Sequence, residues 1–338
     1  MSTIALIGSD TLLGREIRDI VATSDSDISL RLVADTEEAA GALTRVGDEP
    51  AVVGGLTAES LTGARAVFLA GSAESAQKAL ELAADEPETT IIDLTGAAED
   101  RPEARLRAPL VESAEDDDMD EGEDGSAVQV VAHPAAIALA LFLRRLHFLE
   151  PVRSSVIQIF APASEYGTAG VEELQGQTVS LLSFKKLPHA VFDTQLSFSL
   201  LAKYGEEAKV PLEETELRIE RHLASLLALP GDGEGVPMPS LRLIQAPVFH
   251  GYSFGVWAEF ESDPSMENVE SGLVTGSIEV RGSDFEAPTN VGQAGQGGIA
   301  VGAITPDRNR PEACWFWVAA DNLRLTAENG VAVARELA

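Results

Sequence analysis

The chain opens on a short apolar run, Ile4-Ala5-Leu6-Ile7, which breaks at Gly8-Ser9-Asp10-Thr11-Leu12-Leu13-Gly14 and passes into helical spacing through Val21. A continuous apolar run without alternation, closed by a glycine turn, reads as a strand buried on both faces. The same pattern places strands over 30–34, 66–71, 90–94 and 128–132 and a helix over 75–84. Short apolar strands alternating with amphipathic helices predict a mostly parallel, doubly wound sheet covered on both faces. The pattern changes at Val152. Strands over 156–160, 240–248, 253–260 and 277–281 alternate more openly, with helices over 170–182 and 213–229. These predict a second, α+β domain on a mixed or antiparallel sheet. The last segment, 322–337, reads as one long helix. The expected organisation is therefore a doubly wound domain over 1–134, an α+β domain over 135–320, and a C-terminal helix over 321–338 that packs back on the first domain.

Length and composition support this division. A chain of 338 residues with 45% hydrophobic content suits two domains with sizeable cores. The longest apolar stretch, 135–143, is too short for a membrane span and reads as a buried helix. The N-terminus lacks the basic start of a signal peptide, and a cytoplasmic location fits best. A single cysteine, Cys314, excludes an internal disulfide and a cysteine-based zinc site. Net charge is −31, from 55 acidic and 24 basic residues, only five of them lysine. Such a surface excludes nucleic acid and anionic membrane as partners, because phosphate neutralisation needs clustered cations. Low lysine with abundant carboxylate resembles the surface of proteins from a salty cytoplasm. The densest block, 115–125, has eight acidic residues in eleven. It self-repels, so a surface loop is expected over 114–126, and its spacing matches no calcium loop.

Two turns carry the candidate chemistry. Strand, Gly8-x-x-Thr11-x-x-Gly14 and helix form a weakened dinucleotide fingerprint, in which glycines let the backbone approach a pyrophosphate at a helix N-terminus. Asp10 puts a negative charge where an anion would sit. After the second strand comes Asp35-Thr36-Glu37-Glu38, which repels a 2′-phosphate and disfavours NADP. Asp35 suits a ribose hydroxyl of NAD. The alternative is an inherited fold that binds no dinucleotide. The second turn, Val130-Val131-Ala132-His133-Pro134-Ala135-Ala136-Ile137, reads as strand, proline turn and helix, and aims the first helical side chains at a cleft.

Over nearly its whole length the chain resembles the aspartate-semialdehyde dehydrogenase family. The stretches that carry this are the proline turn, Ala161-Pro162-Ala163-Ser164-Glu165-Tyr166-Gly167 (the family's Gln-Ala-Val-Ser-Gly-Ala-Gly), Gln245-Ala246-Pro247-Val248-Phe249-His250-Gly251-Tyr252-Ser253 (Arg-Val-Pro-Val-x-x-Gly-His-Ser) and Trp317-Val318-Ala319-Ala320-Asp321-Asn322-Leu323-Arg324 (Val-Ser-Asp-Asn-Leu-Arg). Within the family it is most similar to the Usg-type paralogues. The resemblance implies a Rossmann-like domain, an α+β dimerisation domain and a homodimer. It also implies an NADP-dependent reaction in which a thiolate attacks the aldehyde, hydride leaves to nicotinamide and phosphate cleaves the thioester.

Carried over position by position, that chemistry is missing. The thiol falls on Ala136, the orienting glutamine on Ala161, the base histidine on Tyr252 and the substrate-carboxylate arginine on Gln245. Tyrosine, with an ordinary pKa near ~10, is a poor base at neutral pH. Glutamine cannot form the charged fork of arginine. The phosphate-binding arginine and lysine fall on Glu99 and Glu216. No catalytic residue and no metal are therefore expected. Gly8, Thr11, Gly14, Asp35, Gly71 and Asn322 stand as cofactor positions for NAD or NADP, weakened by Thr11 in place of a glycine and by Asp10. Three readings follow: a non-catalytic dimeric binding or regulatory protein, an oxidoreductase of the superfamily using non-covalent hydride transfer, or a subunit that pairs with a genuine aspartate-semialdehyde dehydrogenase. His133, His250 and Tyr252 share a cleft if the family geometry holds. Ser164 has no histidine placed by sequence to activate it. His147, His189 and His222 read as surface or helix-end groups, Cys314 as a core residue, and Asp321 as a helix cap. Trp315 and Trp317 read as sharing one face of a strand, in the core or at a dimer interface.

Overall fold

A computed structural model describes residues 2–24, 28–47, 49–84, 86, 89–112 and 127–337; the acidic segment 114–126 lies outside them. Two compact units form, one of Met1–Ala132 with Thr326–Ala338 and one of His133–Leu325.

The first unit holds a six-stranded, all-parallel sheet in the order β2-β1-β5-β6-β8-β7. Its strands are β1 (Ser2–Ile7), β2 (Ile28–Val33), β5 (Ala66–Leu69), β6 (Thr90–Asp93), β7 (Ala104–Arg107) and β8 (Val128–Val131). An exposed hairpin, β3 (Leu43–Val46) and β4 (Glu49–Val52), stands apart. The helices are α1 (Leu12–Thr23), α2 (Ala58–Leu61) and α3 (Ala73–Ala83), joined by most of α9 (Asn322–Glu336), which begins in the second unit. Alternate residues of the buried strands serve opposite faces. Ala5, Ile7, Val67, Leu69 and Val130 cluster with Ala76, Ala79 and Leu80 of α3. Phe68 points the other way, toward Gly330 of α9, where any Cβ would meet Leu94 at 2.7 Å.

The second unit holds a six-stranded mixed sheet in the order β10-β9-β11-β14-β13-β12. The strands are β9 (Val152–Ala161), β10 (Ser240–Gln245), β11 (Tyr252–Phe260), β12 (Ile278–Arg281), β13 (Ile299–Pro306) and β14 (Ala313–Ala320). The outer pairs β9–β10 and β12–β13 are parallel and the three inner pairs antiparallel. Its helices are α4 (Pro134–Leu149), α5 (Gly167–Leu182), α6 (Leu212–Leu227), α7 (Met266–Leu273) and α8 (Asn290–Gln293). One sheet face is core: Ile157, Ile159, Phe254, Val256, Phe316 and Val318 are buried, and Phe316 meets Phe142 of α4 edge to face at 5.1 Å. The other face carries Val156, Trp257 and Trp315 in one row across β9, β11 and β14, with Val156 and Trp315 each 48% exposed.

The strand expected over 240–248 stops at Gln245, two residues before Pro247, which has no N–H for a ladder. The strands β3, β4, β7 and β13 were not expected. Three are four-residue edge or hairpin strands whose polar, half-exposed sequences give no apolar run.

Candidate active site

Pro134 opens α4 at its first turn, where a missing N–H costs nothing. The His133 side chain caps this turn, its Nδ1 accepting the Ala135 N–H at 3.2 Å. α4 is apolar on nearly every side because it is buried, and Ala136 is fully buried in it. Ala161, at the end of β9, is buried as well. Neither methyl group offers chemistry.

Glu165 organises what surrounds them. His133 Nε2 lies 2.8 Å from Glu165 Oε1, and the Tyr252 hydroxyl donates to Oε2 at 2.8 Å. With Nδ1 accepting the Ala135 N–H, Nε2 is the nitrogen of His133 that faces the carboxylate as donor. Burial pushes the Glu165 pKa up, but the attraction and hydrogen bond of His133, the Tyr252 hydrogen bond and Arg218 outweigh it and hold it below the ordinary range. Tyr252 is the reverse case. Burial, then the Glu165 charge, push its hydroxyl well above the ordinary phenol range, so it donates and does not act as a base. The His133 backbone N–H donates to His222 Nδ1 at 2.8 Å. His222 is therefore a buried partner of the turn, which corrects its reading as a surface or helix-end group. His147 does sit at a helix end, accepting the Val152 N–H at 3.0 Å.

Gln245 is fully buried and spans its slot. Its Oε1 accepts from the Tyr204 hydroxyl at 2.7 Å, and its Nε2 donates to the carbonyls of Ala161 at 2.9 Å and Ala246 at 3.2 Å. Every polar atom of the amide is spent on the protein. Glu216 is spent likewise, accepting from Arg242 at 3.1 Å and from the Leu243 N–H at 2.6 Å, which ties α6 to β10.

Ser164 meets a histidine that the sequence alone does not place beside it. Its Oγ lies 3.0 Å from His250 Nδ1, and His250 Nε2 lies 2.8 Å from Asp321 Oδ2. Ser164 Oγ also lies 3.2 Å from Asn322 Oδ1, which accepts the Gly251 N–H at 3.3 Å. Asp321 Oδ1 caps α9, accepting the N–H groups of Leu323 and Arg324 at 3.0 Å each, and Oδ2 takes the Gly295 N–H at 2.7 Å. Burial works against the Asp321 carboxylate, but the His250 bond with the Arg324 and Gly295 N–H donors wins, so its pKa falls below the ordinary value. His133 and Tyr252 share Glu165, with ring centroids 6.1 Å apart, and His250 stands on the neighbouring residue, Ser164. Among the described residues no group of three or more His, Cys, Asp or Glu side chains is arranged to hold a metal.

The other candidate positions lie in the first unit, at the point where strand order reverses between β1 and β5. Gly8 has φ +79°, and a Cβ there would lie 2.5 Å from Gly71 Cα; a Cβ on Gly14 would lie 2.0 Å from the Gly8 carbonyl. Gly8 and Gly14 are needed for backbone packing itself, and a Cβ on Gly71 would meet the Asp35 and Ser75 side chains at 2.4 Å. Thr11 caps α1: its Oγ1 accepts the Gly14 N–H at 3.0 Å and reaches the carbonyls of Gly8 and Ala70 at 2.8 Å each. Its hydroxyl thus turns into the loop. Asp10 Oδ1 accepts the Asp35 N–H at 2.9 Å, and Asp35 Oδ1 accepts from Ser72 N–H and Ser75 Oγ at 2.6 Å each.

Comparison with known proteins agrees with this architecture. An aspartate-semialdehyde dehydrogenase of Rickettsia bellii is 26% identical over 342 residues, covering 99% of this chain and 97% of that one. A USG-1 protein homolog of Pseudomonas aeruginosa is 26% identical over 338 residues, covering 99% and 96%. The solved structure of a probable aspartate-semialdehyde dehydrogenase from Pseudomonas aeruginosa matches with a TM-score of 0.79 at 26% identity, over 99% of this chain and 98% of that one. The family model for the semialdehyde dehydrogenase dimerisation domain matches residues 146–325, just over half of the sequence, and the chain belongs to the semialdehyde dehydrogenase family.

Proposed function

We propose that this chain is a family member without the family's covalent reaction, acting as a homodimeric binding or regulatory protein. The observation that carries the reading is Gln245. At the position that the resemblance assigns to the substrate-binding arginine, a fully buried amide has all its hydrogen bonds inside the protein. The neighbouring positions support it. Ala136 offers no thiol, and Tyr252 is a buried donor to Glu165 in place of a base. Loss of a covalent nucleophile alone costs orders of magnitude in rate.

The homodimer forms through the open face of the second sheet. Val156, Trp257 and Trp315 line it, and Asp307 Oδ2 accepts both the Trp257 and Trp315 indole N–H groups, at 3.0 and 2.9 Å. Two indoles held edge-on by one carboxylate present a rigid apolar row, the composition of an interface core. The match to a dimerisation domain family over this unit supports the same assembly.

The first unit's loop fits the backbone part of a dinucleotide site: the Gly8, Gly14 and Gly71 cradle and the α1 N-terminus face the switch point. Asp35 and the acidic turn after it fit NAD and oppose the extra phosphate of NADP. When bound, the nicotinamide would supply hydride chemistry, the basis of the alternative oxidoreductase reading. Pairing with a genuine aspartate-semialdehyde dehydrogenase is the third reading, and a mixed dimer on co-expression would support it. Calorimetric titration of the dimer at high salt with NAD, NADH, NADP and NADPH, beside turnover assays with aspartate semialdehyde, separates these. The proposal expects NAD-selective or absent binding and no turnover; turnover with either cofactor would reject it.

A further inference from the structure

We propose that Ser164, His250 and Asp321 form a serine acyl-transfer site, unrelated to the missing thiol, that takes small uncharged or cationic activated acyl groups such as simple esters and thioesters. This lies beyond the binding role above and does not depend on it. The three side chains form an ordered relay, 3.0 Å from Oγ to Nδ1 and 2.8 Å from Nε2 to Oδ2. A carboxylate only accepts, so Asp321 fixes the His250 proton on Nε2 and leaves the Nδ1 lone pair facing the serine hydroxyl. That is the arrangement a nucleophile, base and orienting carboxylate require, with the two ring nitrogens used in the opposite sense from the serine-protease template.

The relay is held from several sides. The Ser164 N–H donates to the Phe249 carbonyl at 2.9 Å, and Ala163 N–H to Val248 at 2.7 Å, so the serine and histidine loops are pinned together. Asn290 Nδ2 donates to the His250 carbonyl at 2.9 Å. Asp321 is fixed by the first-turn amides of α9 and by Gly295. Such support on both base and orienter is what preorganisation demands. The α5 helix starts three residues past the serine, and Gly170 in its first turn leaves no room for a Cβ against the Ala163 carbonyl. The first amide of that helix, Gly167 N–H, donates to the Ser164 carbonyl and ties the serine to the helix start.

Exposure and charge define the substrate. Ser164 is 2% exposed, whereas the His250 side chain is 28% exposed, so approach is from the imidazole side and only a small acyl group reaches Oγ. Glu165, ionised and adjacent in sequence, repels anionic acyl compounds. In the step, Ser164 Oγ attacks the acyl carbon as its proton moves to His250 Nδ1. The bond to the leaving oxygen or sulfur then breaks, and that atom takes the proton from Nδ1. Water repeats the sequence on the Ser164 ester, so one ester and one water give one acid and one alcohol. The competing acceptor for the serine hydroxyl is Asn322 Oδ1, at 3.2 Å. An imidazole serves as general base only with a free lone pair, so activity falls as pH falls.

The test is labelling of the purified, folded dimer with a small fluorophosphonate, in which Ser164 Oγ displaces fluoride from phosphorus, followed by peptide mass spectrometry and by p-nitrophenyl acetate hydrolysis. Labelling is expected on Ser164, absent in Ser164→Ala, and slowed at least about 100-fold in His250→Gln and Asp321→Asn, the scale of a lost general base. His250→Gln should also abolish the acid limb of the hydrolysis profile, a change that loss of a merely structural bond does not produce. Tryptophan fluorescence confirms that each variant is folded. No labelling of the wild type under conditions that label a reference serine esterase, or equal labelling of Ser164→Ala, would overturn the proposal.

Discussion

Restoring the family's arginine at position 245 should damage the protein instead of reviving it. In Gln245→Arg the side chain grows within a slot that is fully buried, and overpacking of this kind costs ~1–3 kcal/mol. A guanidinium has only donors, so the Tyr204 hydroxyl loses the acceptor it now reaches at 2.7 Å. Tyr204 cannot compensate by ionising, because burial and the neighbouring Tyr166 and Glu165 push its pKa upward. With Tyr204 left only its Tyr166 hydrogen bond and facing a buried guanidinium, the site loses a further ~1–3 kcal/mol. The sum, roughly 2–6 kcal/mol, is a large share of the ~5–15 kcal/mol that holds a typical domain folded. The assay follows from composition. All three tryptophans, Trp257, Trp315 and Trp317, belong to the second unit, so urea unfolding followed by tryptophan fluorescence reports that unit alone. Protomer concentration must be fixed, since the proposed dimerisation would contribute to apparent stability. A Gln245→Arg protein within about 1 kcal/mol of wild type would refute the claim that this position is now structural.

Three more expectations follow from the same geometry. Glu165 has its folded pKa depressed, so its contribution is complete above the unfolded carboxylate range near ~4.3 and disappears as pH falls through the lower folded value. Glu165→Gln should therefore cost ~1–3 kcal/mol at pH 7 and much less in acid, by the same urea titration. Trp315→Glu places a charge in the centre of the open sheet face and should convert the dimer to monomer, read by sedimentation; an unchanged dimer would move the interface elsewhere. Asp35→Ser removes a carboxylate that would repel a 2′-phosphate at this turn and should raise NADP affinity relative to NAD at least several-fold by calorimetry, with an unchanged ratio excluding Asp35 as the discriminator.

The frame of the fold was legible because it rests on local signals. The unbroken apolar run of β1, the glycine turn after it and the open alternation after Val152 each declare an element without knowledge of its neighbours. The site was legible only where a single residue could speak for itself, as Ala136 does. The Ser164–His250–Asp321 relay joins residues 86 positions apart in its first link and is created by the pairing of β9 with β11 and of β11 with β14. No spacing rule announces it. His222 was misread for the same reason: a lone histidine on a helix looks solvated until the turn whose N–H it accepts is folded against it. The hairpin of β3 and β4 was invisible because its strands are short and exposed, so no burial shaped their sequence.

The most direct measurement is a rapid-mixing experiment on the wild-type protein with aspartate semialdehyde, phosphate and saturating NAD or NADP, reading nicotinamide reduction at 340 nm alongside intact protein mass. The account predicts no reduction burst with either cofactor and no thioester adduct, because no thiolate stands at Ala136 and the buried Gln245 amide has no hydrogen bond to give a substrate carboxylate. A burst approaching one equivalent per protomer, followed by phosphate-dependent turnover, would contradict it.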